Sequence, residues 1–193
     1  MADYPAIAGT SQAVLGLLQG AALDTEFAGV EFAHYHAKSL EKPMAEGISL
    51  WLYRITVNPQ RNVAPRVDPD GTRRGPPIPL DLHYLLTAWA ADPIQQQRLF
   101  GWAVRTIEDT PLLPAGVLNQ HLAEPDVFGP SETVELVWQP IAFSEFLDLW
   151  EGARTAMRPS ASYLARIVEI DSQVSLDAHP DVQTRELAYG SVS

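Results

Sequence analysis

Gly47-Ile48-Ser49-Leu50-Trp51-Leu52-Tyr53-Arg54-Ile55-Thr56-Val57 is the run on which the fold turns. Ile48, Leu50 and Leu52 alternate with Ser49, Trp51 and Tyr53, so both faces of an extended segment are largely apolar. A strand of that kind belongs inside a sheet with cover on both sides. Downstream, Leu80, Leu82, Tyr84, Leu86 and Ala88 alternate with Asp81, His83, Leu85 and Thr87. Two shorter period-2 runs follow, Val134–Trp138 and Tyr163–Glu169, and an upstream strand is expected near Val30–His36. Between the strands lie two helical patterns. Asp92-Pro93 reads as an N-cap followed by proline at the first helical position, opening a helix that Pro111 closes after Thr110. A second helix starts near Ser144 and buries Phe146, Leu147 and Trp150. This order predicts a single α/β (α+β) domain, a mixed β-sheet flanked by helices.

A further helix is expected over Ala6–Gln19, with Ile7, Val14, Leu15 and Leu18 on one side. Its other side carries no charge. Either another chain covers that face or the helix is buried in its own domain, the commoner arrangement. The uncharged stretch Tyr4–Leu23 is interrupted by Thr10, Ser11, Gln12 and Gln19, and Asp3 precedes it. It therefore reads as neither a membrane span nor a secretory signal, and the chain is expected in the cytoplasm at synthesis.

Composition bounds the function. In 193 residues there are 13 Lys+Arg, 24 Asp+Glu and no cysteine. A chain of this length can bury roughly 70% of its unfolded surface. Without cysteine there is no disulfide scaffold, no thiolate metal site and no thiol nucleophile. A net charge of −11 opposes nucleic-acid binding, which needs a surplus of Lys and Arg against phosphates.

The connection from residue 58 to 78 differs in kind. Pro59, Pro65, Pro69, Pro76 and Pro77 punctuate it, and Asp70-Gly71 can turn a small hairpin. Five of the chain's eleven arginines fall between Arg54 and Arg74, against only Asp68 and Asp70. A long proline-rich connection inside a compact domain is usually functional or disordered. A basic arm on an acidic body suits docking on an acidic protein surface. The candidate interface residues are Arg54, Asn58, Arg61, Asn62, Arg66, Arg73 and Arg74. The domain is expected to span residues 1–171 with the arm at 58–78. The tail, 172–193, could dangle or add a strand to a neighbour's sheet edge.

Reactive constellations are sparse. His34 and His36 would point the same way on a strand near Glu31, but no spacing supplies a further zinc ligand. Asp81 and His83 share a strand face like two-thirds of a triad, yet there is no Gly-x-Ser-x-Gly elbow to present a nucleophile. Asp68 and Asp70 sit in the proline-rich connection, a poor platform for acid–base work. Neither a phosphate-binding loop nor a dinucleotide fingerprint occurs. No catalytic residue, metal or cofactor is assigned. The alternatives are a small hydrolase using His83 and Asp81, or a soluble adaptor binding an acidic protein through the 54–74 arginine loop.

Leu50–Asn62 nonetheless resembles the strand-and-loop signature of the cap, or tail-terminator, proteins of phage-tail-like contractile injection systems. Pro76–Ala88 is similar to that family's most distinctive stretch. Arg98-Leu99-Phe100-Gly101, Thr110-Pro111-Leu112-Leu113, Leu149-Trp150, Ser162-Tyr163 and Ile170-Asp171-Ser172 extend the likeness, which covers Asp3 to Ser172. The resemblance implies a fold like that of phage tail terminators and a non-enzymatic, hexameric ring of this chain. The ring would close tube and sheath at the end distal to the baseplate. Partners would be the sheath and inner-tube proteins, with no nucleic acid and no direct membrane insertion.

Overall fold

The computed structural model describes residues 4–59, 64–68, 70–122 and 127–176. In chain order the elements are α1 (Ala6–Ala22), β1 (Glu31–Tyr35), β2 (Gly47–Val57), β3 (Arg66–Val67), β4 (Arg73–Arg74) and β5 (Ile78–Trp89). There follow α2 (Pro93–Asp109), β6 (Leu112–Pro114), α3 (Ala115–Gln120), β7 (Thr133–Trp138), α4 (Phe143–Gly152) and β8 (Ser160–Ile170). A short 3₁₀ turn, Ala37–Glu41, joins β1 to the approach of β2.

Six strands form one mixed sheet in the order β1-β2-β5-β8-β7-β6. β1 and β2 are parallel, and every other pair is antiparallel. The alternation in β5 divides the molecule into two cores. Leu80, Leu82, Tyr84, Leu86 and Ala88 face α1, α2 and α3, together with Ile48 and Leu50 of β2. Leu85 and Trp89 face the opposite layer, built from Leu40, Trp150 and Ala153 with Trp51, Tyr53 and Phe146 against it. Each fully buried large aliphatic side chain of this kind contributes about 1.5–3 kcal/mol. The double-sided reading of β2 holds where Gly47–Leu50 is buried on both faces and lapses beyond Tyr53, where exposure rises.

α1 runs three residues past the expected Gln19 and is buried in its own domain through Gly9, Ala13, Val14 and Leu18. Its glycine stripe lets α3 approach closely. A Cβ at Gly16 would stand 2.4 Å from the ring of His121. Gly47 opens β2 because a side chain there would meet the Glu31 carbonyl at 2.1 Å. α2 starts as its sequence predicts, with the Asp92 carboxylate accepting from the Gln95 N–H at 2.8 Å. α4 begins at Phe143, and of Phe146, Leu147 and Trp150 only Trp150 is fully buried. None of the described helices is long and apolar enough to cross a membrane.

Two irregularities interrupt the ladders. On β2 an extra residue, Tyr53, shifts the register with β5. On β8, Arg166 and Ile167 together face Asp81 of β5, which makes a bulge.

Candidate functional site

The described part of the arginine-rich connection, residues 64–68 and 70–78, is folded, and much of its charge is engaged within the chain. Asp70 and Gly71 turn the hairpin that Asp70-Gly71 predicts. Gly71 takes φ +88°, its N–H reaches the Asp68 carbonyl, and the Thr72 N–H donates to Asp70 Oδ1 at 2.9 Å. Those bonds to Thr72 hold the Asp70 carboxyl below its ordinary range. β3 and β4 are the hairpin's two short strands.

Arg66 fixes this hairpin to the main sheet. Its guanidinium lies 3.2 Å from Glu132, 2.9 Å from Asp171 and in contact with Glu169 at the end of β8. Asp171 is nearly covered, and the two oxygens lack well-aligned donors despite the nearby arginine. Burial therefore raises its pKa, and Arg66 only partly opposes the shift. Arg74 makes the second attachment, donating to Asp68 Oδ2 at 2.5 Å and to the Gln173 carbonyl at 3.0 Å. The start of the tail then runs antiparallel to β4. Gly75 N–H bonds the Val174 carbonyl, and Leu176 N–H bonds the Arg73 carbonyl.

The other named residues have distinct settings. Arg54 is exposed on β2, 3.5 Å from Glu145 of α4. Arg73 is exposed on β4. Asn58 is buried and directs its amide at Asp81, 2.9 and 3.0 Å from the two carboxylate oxygens. Arg61 and Asn62 lie outside the described residues. The structure thus brings Arg66 and Arg74 together at the foot of the arm, and sets Arg54 on the strand that leads into it and Asn58 just past that strand's end. Sequence reasoning missed the carboxylates that receive Arg66, because Glu132, Glu169 and Asp171 are far away in the chain. Of the three, only Asp171 carried a signal in the sequence, as the middle residue of the Ile170-Asp171-Ser172 motif.

Asp81 and His83 share a face, as their spacing predicts, and each has its own partner. Asp81 accepts from Asn58 and from the Ile167 N–H at 3.2 Å, which stabilises the bulge. His83 Nε2 lies 2.9 Å from Thr56 Oγ1. Burial and then the nearby Arg54 cation push the imidazole below its ordinary pKa. Among the described residues no hydrogen bond joins the two into a relay. His36 caps the 3₁₀ turn, its Nδ1 accepting from the Ser39 N–H at 3.3 Å. His34 lines a shallow groove between α1 and β2 with Ser11 and Tyr84.

What this arrangement can do is bind by shape and charge: an anchored hairpin beside a sheet end that carries exposed Ile55, Val57 and Ile78. The profile of a family described as the Pvc16 N-terminal domain matches residues 10–184. No curated protein matches the chain. Solved structures share the fold, two of them as follows. One is the sheath/tube terminator of PVC, an extracellular contractile injection system, in its extended state. It has a TM-score of 0.61 and 15% identity, covering 97% of this chain and 64% of that one. The other is the cap of the anti-feeding prophage, described as a tube-terminating cap. Its TM-score is 0.58 at 13% identity, covering 91% of this chain and 59% of that one. The chain therefore spans about three-fifths of the length of these structures.

Proposed function

Because the chain belongs to the Pvc16 N-terminal domain family, we propose that it is a structural cap terminating the tube and sheath of a contractile injection particle. The observation that carries this reading is the shared fold, which extends over nearly the whole chain to two proteins that both terminate such a tube. The separate engagement of Asp81 and His83 supports a role without bond chemistry.

A growing tube or sheath ends in a layer whose contact surfaces lack partners. A terminator occupies those surfaces and presents no equivalent ones outward, so growth stops. In this reading several copies form a ring at the end distal to the baseplate, six being the number the resemblance implies. The arm is the contact element. Arg66 and Arg74 hold it in place, while Arg54, Arg61 and Arg73 meet acidic groups of sheath, tube or the neighbouring copy. Asn58 keeps the strand beneath the arm in register.

Length measurement tests the function. Particles assembled without this chain should show tubes of uneven length in electron micrographs, and adding the purified protein during assembly should restore a single length. Uniform, closed particles made in its absence would overturn the proposal. Arg61→Glu with Arg73→Glu should weaken attachment to the particle end while leaving the far-ultraviolet circular dichroism unchanged.

A further inference from the structure

The two sides of the sheet are shaped to meet. β1 pairs with β2 only from Gly47 to Trp51, so on that side Leu52–Val57 has no ladder partner among the described residues, while its other side pairs with β5. At the opposite side the outer strand is β6, Leu112–Pro114, which covers only Thr133–Glu135 of β7. The register places these two edges at one level. Thr56 opposes Asp81, Asp81 faces the β8 bulge containing Arg166, Arg166 opposes Glu135, and Glu135 opposes Leu112. Thr56 and Leu112 therefore end the same row. Four antiparallel steps separate β2 from β6, so the two strands run in the same direction.

Their free backbone groups also correspond. The Asn58 N–H bonds inward to Pro79, so by the alternation of an antiparallel ladder Ile55 and Val57 turn their N–H and C=O groups outward. Pro111 and Ala115 bond inward to Leu136 and Glu132, so Leu112 turns its own groups outward. In a parallel pair centred on Thr56, the Leu112 N–H meets the Ile55 carbonyl and the Val57 N–H meets the Leu112 carbonyl. The faces agree as well. Thr56 lies on the Asp81 face, opposite the α1 core, and so does Leu112, whose neighbour Leu113 is buried in that core.

The chemistry of the two edges says what fits them. Ile55, Val57 and Leu112 are 44%, 51% and 55% exposed. Neither Ile55–Val57 nor the ten-residue stretch from Pro111 to Gln120 contains a charge, in a chain of net −11. Between two copies this acidic, an edge without charge adds no repulsion of its own at the contact. Exposed apolar edge strands are pairing sites unless something covers them.

We infer that Leu112–Pro114 of one copy adds as a parallel strand to Ile55–Val57 of the next, so that the sheets run on from copy to copy. The contact is head to tail and repeats around the assembly, which closes a ring when the rotation allows. It rests on the reading of the chain as a unit of such a ring.

The absence of cysteine makes a clean test possible. The full chain carrying both Thr56→Cys and Leu112→Cys, treated with a short bis-maleimide, should give a ladder of covalent multimers ending in one closed species. Either single variant should stay monomeric. A dimer from a single variant would mean a two-fold contact and would overturn the inference. So would a double variant that remains monomeric both in solution and in assembled particles. Val57→Pro removes the outward N–H and spares the ladder with β5, as edge strands tolerate. Together with Leu112→Glu, it should abolish the multimers in the double-cysteine background without changing the circular dichroism. Multimers that survive both changes would rule the contact out. Uniform, capped particles built from Val57→Pro chains would defeat this contact and leave the capping function standing. Uneven particles from Val57→Pro chains, together with loss of the cross-linked multimers, would support it.

Discussion

Ile167 holds a backbone φ of +57°, a region that β-branched residues avoid. It sits in the β8 bulge, and the buried Asp81 carboxylate fixes it there by accepting its N–H together with the Asn58 amide. Asp81→Ala leaves both donors unpaired and should lower stability by about 2–4 kcal/mol in urea unfolding. Ile167→Asn, a residue that accepts this conformation, should raise it by about 0.5–1 kcal/mol; a loss would mean that the strain is not at this residue. The histidines set a pH dependence. His34 and His83 both have folded pKa values below their unfolded ones, chiefly through burial. The unfolded chain then binds more protons, so their contribution is present above the unfolded pKa and is lost as pH falls through it. The urea midpoint should therefore drop as pH goes from about 7.5 to 5.5, and His83→Gln should make that drop smaller. The sequence showed that Asp81 and His83 line one strand face. It did not show Asn58 or Ile167 as the partners of Asp81, because pairing across a bulge depends on a register that no local pattern encodes.

Among elements, those with enough residues to display a period were legible from sequence, and the brief ones were not. β2 and β5 have eleven and twelve residues, so their alternation is unambiguous, and α2 announces itself with Asp92-Pro93. β6 and α3, of three and six residues, are too short for either period to be seen. Losing the α2 cap through Asp92→Ala should cost about 1 kcal/mol, read as a lower thermal midpoint. The β1–β2 junction is less forgiving. Gly47→Ala drives a methyl group into the Glu31 carbonyl and should cost about 2–4 kcal/mol or prevent folding. The arm was legible as a hairpin with prolines around it, but its anchorage was not. Arg66→Ala leaves Glu132, Glu169 and Asp171 without their shared cation. Expected is a loss of about 1–2 kcal/mol, less than for a fully buried pair because Arg66 retains contact with water. Limited proteolysis should then cut within residues 58–78 sooner than in the parent chain. Unchanged cleavage would show that Arg74 and the Val174–Leu176 pairing hold the hairpin without it.

At the scale of the molecule, one strand serves both cores, since β5 gives Leu82 and Tyr84 to one and Leu85 and Trp89 to the other. Neither core can open alone without breaking that strand. Unfolding should therefore be a single transition, with tryptophan fluorescence and far-ultraviolet circular dichroism superimposing in urea. Separate midpoints would show that the α4 side melts on its own. The single mixed-sheet domain was readable from the order of periods, and the charge-poor Ile55–Val57 and Pro111–Gln120 stretches were readable as strings of letters. That they end one row on opposite sides of the sheet was not, because it emerges only from four strand pairings taken in succession. The half of β2 that β1 leaves uncovered has a practical corollary for anyone handling the protein. Mutual repulsion keeps stray molecules in a tube apart, and it vanishes near pH 4.7, the isoelectric point. A preparation titrated to that value should turn cloudy within the hour, and the Val57→Pro version should stay clear for longer.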